Sequence, residues 1–368
     1  MLKVVRLLLL VVATLVGNPS FVSGAPTHYV FVLTNDGNYV VVDVDAGRIV
    51  TTGTIPGVQR IDRAYDDQFG GRVYLQVSSL AGAGSNQPTT RLAIISKVNN
   101  ANNPGLRFSG WLRPPTGSSS VTRALAISNG VLLVSWQDGR PSTVKYDSTS
   151  NRSQRVIENF VVTPTTCVST DGQTMYSVAN NPSHEIKALN LTSGEVTNSS
   201  YALLGSATSS YKAPVATDGC TMAFIERMAK SAQGPSPATV YLYEVERGTT
   251  LKRFGVAGDG RFALSLKQSL LLLDLSALVP NKLPDGTTAG LRRVNTGTLI
   301  FYDTAPGKET GRIALSQKGQ LAGISADETT AYYLSPNLLI VIDLLAKRVA
   351  VKIDLPFSNG MLLADPAP

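Results

Sequence analysis

Residues 39–50 have the sequence YVVVDVDAGRIV, in which an apolar run ends in an acidic residue and a short turn leads into a second run. Val, Ile and Tyr favour β-strands, whereas Asp and Gly favour tight turns. The same arrangement returns near the C-terminus as LLIVIDLLAKRVAVKI at residues 338–353. The two segments are therefore interpreted as copies of one repeat.

Five further copies lie between them. The residue that ends the apolar strand is polar in every copy, at Asp43, Ser96, Asp147, Asn190, Glu244, Asp303 and Asp343. These anchor residues follow one another at a mean interval of about 50 residues, which suits the four strands of one β-propeller blade. Seven anchors predict seven blades.

A second recurring feature precedes most anchors. A turn leads into an apolar strand in STDGQTMYSVA at 169–179, ATDGCTMAFIE at 216–226, SADETTAYYLS at 325–335 and ISNGVLLVSW at 127–136. Asp-Gly and Asn-Gly are strong hairpin signals. Each unit is thus predicted to contain strands A, B, C and D. The sequence shows no amphipathic periodicity that would indicate helices instead. The fold class is all-β, a single seven-bladed β-propeller.

These units resemble the YVTN-type propeller repeat of the quinoprotein amine dehydrogenase heavy-chain-like superfamily. The resemblance rests on the Asp171-Gly172 turn with the strand after it, and on the Val/Ile-rich strands YVVVD and LIVID. It extends over nearly all of residues 25–368, but it implies an architecture and leaves the ligand open.

The two ends of the repeat region predict ring closure. The first unit begins directly after His28 with two strands and lacks an innermost one, while NGMLLADP remains unassigned from Asn359. We therefore expect the C-terminal segment to supply the inner strand of the first blade, which leaves no open edge.

The N-terminus predicts export. Lys3 and Arg6 precede an apolar run at residues 7–16, and short residues before Ala25 suit signal-peptide cleavage. Residues 1–24 are thus expected to be a signal peptide and residues 25–368 the propeller, secreted or periplasmic, with no membrane span after cleavage. Those two cations belong to a formal net charge of +7, so the mature excess is mild.

Cys167 and Cys220 are the two cysteines of the chain. Export permits a disulfide, but a large core does not require one. The repeat register places them on adjacent blades at different heights, which favours unpaired thiols and leaves pairing open.

The sequence favours a non-catalytic protein. The two histidines, His28 and His184, exclude multi-histidine metal sites, and no cofactor motif is found. An Asp recurs at the strand end of other blades in the position of Asp43, which favours a turn role for that residue over calcium binding. Asp62, Asp66 and Asp67 form the one local carboxylate cluster, interpreted as a solvated turn, although Asp62 could face the channel.

Long connections are predicted on one face, the loop face, where the B–C and D–A connections meet. They are loops at 79–90, 226–239 and 276–297. Long loops on a rigid fold commonly carry binding. The B–C loops of the blades together contribute Arg91, Arg140, Arg227, Lys230, Lys282, Arg292 and Arg293 against Asp138, Glu226 and Asp285.

A basic channel mouth is predicted at the same face. Basic residues just before or at the start of five inner strands are Arg60, Arg123, Lys212, Arg261 and Lys318. They are the candidate binding residues for an anionic partner, with simple solvation around the rim as the alternative.

Three functions remain open at this point. The leading hypothesis is a monomeric, exported scaffold that binds a protein or an anionic polymer on the loop face. The second is a subunit or relative of a quinoprotein or amine dehydrogenase-type redox enzyme, and the third is a channel hydrolase or lactonase. Nucleic acid is not expected as a partner of an exported protein with 7% aromatic residues.

Overall fold

The structure is a computed structural model that describes residues 28–58, 60–67, 71–78, 90–98, 104–115, 120–128, 131–138, 140–163, 165–178, 185–200, 212–227, 237–358 and 360–364. Within these ranges the regular structure consists of β-strands arranged in seven four-stranded antiparallel sheets. The protein is a seven-bladed β-propeller. The proposed signal peptide, residues 1–24, lies outside the described residues.

The strands of blades 1 to 3 are β28 (Gly360–Ala364), β1 (Tyr29–Thr34), β2 (Asn38–Asp43) and β3 (Arg48–Thr54); β4 (Ile61–Asp67), β5 (Arg72–Ser78), β6 (Thr90–Val98) and β7 (Gly105–Trp111); and β8 (Ser120–Ser128), β9 (Val131–Asp138), β10 (Arg140–Asp147) and β11 (Arg152–Glu158). Within each blade they are given in the order A to D, from the channel outward.

The strands of blades 4 to 7 are β12 (Thr166–Val168), β13 (Thr174–Val178), β14 (Glu185–Asn190) and β15 (Val196–Ser200); β16 (Lys212–Asp218), β17 (Thr221–Arg227), β18 (Ala238–Glu244) and β19 (Thr249–Val256); β20 (Gly260–Ser265), β21 (Leu270–Lys282), β22 (Thr288–Asp303) and β23 (Lys308–Ala314); and β24 (Gln320–Ile324), β25 (Thr330–Ser335), β26 (Leu338–Asp343) and β27 (Arg348–Asp354).

The chain closes its ring in the predicted way. β28 pairs antiparallel with β1, from Val30 opposite Ala364 to Thr34 opposite Gly360. It lies between the inner strands of blades 7 and 2. The last strand of the chain is therefore the inner strand of the first blade, and the closure prediction is confirmed for the backbone. Of the side chains of residues 361–364 nothing is described.

The core is divided into clusters that lie between neighbouring blades. In β1, Val30 and Val32 pack against blade 7, whereas Phe31 and Leu33 pack against blade 2. The other five neighbouring pairs of blades enclose clusters of the same kind. Because both faces of strands B and C are covered, these strands are apolar runs rather than alternating ones. That is why the sequence contains YVVVD and LLIVID.

Five of the seven anchor residues have the predicted turn role. Asp43 Oδ1 accepts a hydrogen bond from the Ala46 amide at 2.8 Å, and Asp147 Oδ1 accepts from Thr149 and Ser150. Asn190, Asp303 and Asp343 accept equivalent bonds in their blades. The anchor thus caps the C–D turn by satisfying its free amides.

The expectation of unpaired cysteines is wrong. Cys167 and Cys220 form a disulfide with their Cα atoms 5.2 Å apart. Cys167 belongs to inner strand β12, and Cys220 lies in the A–B turn of the next blade. The turn lies beside the neighbouring inner strand, so the difference in height inferred from the repeat does not exist.

Further links between blades lie at the turn face, the face formed by the A–B and C–D turns. Glu246 of blade 5 accepts from the Thr170 amide of blade 4, and Asp218 of blade 5 accepts from the Leu266 amide of blade 6. Glu328 of blade 7 accepts from Ser265 Oγ and the Lys267 amide of blade 6. Together with the disulfide, these bonds connect four consecutive blades at this face.

Deleting residues 359–368 is expected to destabilise the whole propeller. The deletion removes β28 and its five paired positions with β1, each hydrogen bond contributing about 1 kcal/mol, and exposes two blade interfaces. Thermal unfolding followed by circular dichroism measures the effect. The matched control is deletion of 365–368 alone, which leaves β28 whole. An unchanged melting temperature in the longer deletion contradicts ring closure.

Breaking the disulfide is expected to lower the free energy of unfolding by about 2–4 kcal/mol, because the bridge spans a sequence separation of 53 residues. Urea unfolding of the oxidised protein with and without dithiothreitol measures the loss. The Cys167→Ala/Cys220→Ala variant serves as the control, since its stability should not respond to the reductant. Equal stability of oxidised and reduced protein contradicts a stabilising bridge.

Candidate functional site

The inner strands of the seven blades surround a central channel. Because the strands are antiparallel, the B–C and D–A connections meet at one end of it, the loop face. Two adjoining cavities occupy this end. An inner cavity of about 490 Å³ is lined by β4, β8, β20 and β24, and an outer cavity of about 740 Å³ lies towards the mouth. Gln320 and Leu334 line both, so the two cavities are neighbours.

Three arginines from different blades lie at one level of the channel. Arg63 pairs with Gln76, Arg123 with Ser135 and Arg261 with Asp274. Each partner is the fifth residue of its B strand, and the fifth residue of β25, Leu334, pairs with Gln320. Arg63, Arg123, Arg261 and Gln320 all line the inner cavity. We call Arg63, Arg123 and Arg261 the arginine level.

Two β-bulges set this level. In β4 the pairing shifts between Ile61 and Arg63, and in β8 it shifts between Val121 and Arg123. A bulge inserts an extra residue and changes the direction of the side chains that follow it. Arg63 and Arg123 are the first paired residues after their bulges, which makes them equivalent positions of blades 2 and 3.

The arginines have no described carboxylate within ion-pair distance. Arg123 is half-buried, with its guanidinium 5.6 Å from the centre of the Tyr65 ring. Burial lowers the pKa of Arg123 below its ordinary value, and the positive charge of Arg63 acts in the same direction. The cavity therefore brings together cations that repel one another and that form no ion pair with a described carboxylate.

The five predicted binding residues occupy three different settings. Arg123 and Arg261 belong to the arginine level, and Lys318 lines the outer cavity. Arg60 precedes β4 and lies 3.5 Å from Asp62, as an ion pair. Lys212 is the first residue of β16, but its side chain is outside the described residues. The five positions therefore do not share one level.

The acidic cluster at 62–67 is not a turn. It belongs to inner strand β4, in which Asp62 lines the inner cavity. Asp62 accepts a hydrogen bond from Ser78 Oγ in addition to its pairing with Arg60. The turn interpretation is thus wrong for this segment, and the channel-facing alternative for Asp62 is right. The side chains of Asp66 and Asp67 are not described.

The predicted loop at 276–297 is instead a β-hairpin. β21 and β22 continue beyond the blade and pair from Ser276 opposite Asn295 to Lys282 opposite Thr288. Arg292 and Val294 on this hairpin line the outer cavity together with Lys318. On the same strand, Arg293 forms an ion pair with Asp259 at 2.5 Å. The other two predicted loops, at 79–90 and 226–239, lie mostly outside the described residues. Their described ends belong to strands, since β6 begins at Thr90, β17 ends at Arg227 and β18 begins at Ala238.

A buried polar cluster supports the base of the hairpin. Asp274 is fully buried; it accepts from Asn295 Nδ2 at 2.6 Å and from the Leu321 amide at 2.9 Å. Asn295 Oδ1 in turn accepts from Tyr333 at 3.2 Å. Burial raises the pKa of Asp274, while these hydrogen bonds and the charge of Arg261 act against that rise. The cluster joins blades 6 and 7 directly behind the outer cavity.

Sequence reasoning missed Arg63, whereas it named Arg292 among the basic residues of the B–C loops. Arg63 lies within the acidic DRAYDD segment. Its alignment with Arg123 depends on two bulges that no repeat pattern reveals.

Among the described residues, no group of three His, Cys, Asp or Glu side chains could hold a metal ion. No helix in the described part of the chain is long and apolar enough to cross a membrane.

Comparison with known proteins gives a fold and no family. No family model matches the chain, and no curated protein matches it in sequence. Among solved structures, dihydro-heme d1 dehydrogenase NirN in complex with DHE superposes with a TM-score of 0.52 at 12% identity, covering 96% of this chain and 78% of that chain.

Two other solved structures are similar to the same extent. Hydrazine synthase of Kuenenia stuttgartiensis has a TM-score of 0.52 at 12% identity, covering 85% of this chain and 99% of that one. Apo AztD from Citrobacter koseri has a TM-score of 0.51 at 12% identity, covering 93% and 100%. At this identity the likeness concerns the propeller fold alone.

Asp274 is expected to make stability depend on pH. Because burial raises its pKa above the ordinary value of 3.8, the native carboxyl keeps its proton to a higher pH than the unfolded one. Its contribution to stability is therefore full below pH 3.8 and is lost as the pH rises through the native pKa. Relative to Asp274→Asn, the wild type should lose free energy of unfolding as the pH rises above 3.8.

Urea unfolding at several pH values measures this difference. The matched control is Asp285→Asn in the hairpin turn, where hydrogen bonds from Thr287 lower the pKa of the carboxyl. The wild type should show no such loss relative to that variant. A difference between wild type and Asp274→Asn that stays constant with pH contradicts a raised pKa.

Proposed function

We propose that this protein is an exported, non-catalytic β-propeller that binds an anionic partner at the loop face, through the central channel. The observation that carries the proposal is the arginine level, where Arg63, Arg123 and Arg261 line one cavity without a described carboxylate partner. An anion bound among them relieves their mutual repulsion. Guanidinium groups suit this role, because they bind carboxylates and phosphates in a bidentate manner.

The setting of the arginines favours binding. Arg123 is half-buried against Tyr65, which limits the solvent that screens its charge. The inner cavity, at about 490 Å³, falls within the range of ligand sites. Asp62, the acidic residue that lines it, already has Arg60 and Ser78 as partners. The positive charge at this level is therefore available to a partner.

The export proposal has two supports. Residues 1–24 have the charge and apolar pattern of a signal peptide, so that residues 25–368 form the exported domain. The disulfide between Cys167 and Cys220 is typical of proteins that fold in an oxidising compartment.

The family proposal rests on the repeats. We propose that the blades are of the YVTN type, related to quinoprotein amine dehydrogenase heavy-chain-like propellers, because five of the seven anchor residues of this pattern cap their C–D turns. The redox-subunit and hydrolase alternatives stay predictions from sequence, since no described feature favours either over binding.

Replacing Arg63, Arg123 and Arg261 together by Gln is expected to weaken the binding of citrate and of tripolyphosphate by about 100-fold or more, because each lost charge-assisted hydrogen bond contributes about 1.5–3 kcal/mol. Isothermal titration calorimetry at low and high salt measures the affinity. Wild-type affinity should fall with salt, whereas the variant should show little further fall.

The matched control replaces Arg48, Arg152 and Arg348 by Gln. Each is an exposed first residue of an outer strand, so the change in net charge is the same and the channel is untouched. Unaltered citrate binding in the channel variant overturns the proposal. An equal loss in the control variant also overturns it, because attraction by net charge would then suffice.

A further inference from the structure

All described residues that line the inner cavity belong to two pairs of neighbouring blades. Arg63 and Arg123 come from blades 2 and 3. Arg261 and Gln320 come from blades 6 and 7. Blade 1 separates these pairs on one side of the ring, and blades 4 and 5 separate them on the other. The two pairs of side chains therefore face each other across the channel, and we call them the first pole and the second pole.

A tyrosine holds the two arginines of the first pole. The Arg123 guanidinium lies 5.6 Å from the centre of the Tyr65 ring, and Arg63 interacts with the Tyr65 hydroxyl. The same hydroxyl donates a hydrogen bond to Gln76 Oε1 at 2.8 Å, which fixes the position of the ring. Two guanidinium groups beside one fixed side chain are preorganised to bind an oxyanion, because each presents its N–H donors in a rigid plane.

The second pole carries one positive charge and one amide. Arg261 lies opposite Asp274 in the pairing of blade 6, and Asp274 accepts a hydrogen bond from the amide of Leu321, the neighbour of Gln320. The buried Asp274 thus connects the strands that carry the two side chains of this pole. Arg261 forms no ion pair with a described carboxylate. Guanidinium and amide N–H donors together suit a second oxyanion.

The rest of the described lining is mostly apolar. Ala64, Ala322 and Leu334 supply it, and Asp62 already has a cationic and a hydroxyl partner. The volume of about 490 Å³ lies in the lower part of the range of small-molecule sites. Burying a charged group against apolar side chains is unfavourable. The lining therefore favours a small ligand whose body is a hydrocarbon and whose charges lie at its ends.

We propose that the anionic ligand of the channel is a small molecule with anionic groups at both ends of a hydrocarbon spacer, and that it bridges the two poles. One terminal carboxylate or phosphate group binds Arg63 and Arg123. The other binds Arg261 and Gln320. This inference rests on the proposed function and names its ligand class. The spacer has to match the distance between the poles, so that length discriminates among ligands of equal charge.

Isothermal titration calorimetry with α,ω-dicarboxylates from succinate to sebacate tests the proposal. We expect the affinity of the full chain to pass through a maximum at one spacer length. At that length it should exceed the affinity for the monocarboxylate of equal length by about tenfold or more, because the second group then binds intramolecularly. A series of α,ω-bisphosphonates should show a maximum at a similar length, and the series that binds more tightly identifies the oxyanion.

Two variants locate the poles. Arg261→Gln should lower the affinity for the best dicarboxylate by about tenfold or more and remove the maximum, because one end of the ligand loses its charged partner. Arg63→Gln/Arg123→Gln should weaken the binding of dicarboxylates and monocarboxylates alike, since the pole with two charges binds either kind of ligand. The control Arg48→Gln, at the first residue of outer strand β3, should keep both the maximum and the wild-type affinity.

The outcomes separate the two proposals. If dicarboxylate affinity does not depend on spacer length, or if Arg261→Gln keeps the maximum, bridging is wrong while binding of citrate still supports the proposed function. Monocarboxylates that bind as tightly as dicarboxylates of equal length also exclude bridging. If neither these ligands nor citrate nor tripolyphosphate binds, the proposed function itself fails.

Discussion

The structure depends on one constraint: the middle strands of every blade must be covered on both faces. Val30 and Val32 of β1 need blade 7, and Phe31 and Leu33 of the same strand need blade 2. A row of such blades leaves apolar faces open at its two ends until the ring is complete. Pairing of β28 with β1 joins the ends of the chain in a single blade and so removes both open faces.

The two ends of the channel differ in how the connections between strands are constrained. At the turn face, short turns approach one another closely enough for Glu246, Asp218 and Glu328 to bond to neighbouring blades, and a disulfide adds to these links. These contacts restrict both the residues that the turns can contain and the positions of the turns relative to the neighbouring blades. At the loop face a connection can lengthen without disturbing the interblade cores, as the blade 6 hairpin does.

Local patterns in the sequence predicted the blades well. The anchors and the Asp-Gly turns are short-range signals, so blade number, strand order and the closing strand followed from them. Contacts between blades were harder to predict from the sequence. The Cys167–Cys220 disulfide, for example, depends on how the A–B turn of one blade lies against the inner strand of the blade before it. The level of Arg63 was also missed, because one bulge residue shifts a strand's register and no composition signal marks it.

The placement of charge follows from the same geometry. Inner strands converge on the channel, so a basic residue that would be solvated on an outer strand meets other cations there, as Arg123 meets Arg63. Some cations elsewhere form ion pairs, as Arg293 does with Asp259 and Lys267 with Glu328. Arg261 lies opposite Asp274, but that carboxylate bonds to Asn295 and Leu321 instead. The cations of the inner cavity therefore lie near one another, where the blades converge, without an ion pair to a described carboxylate.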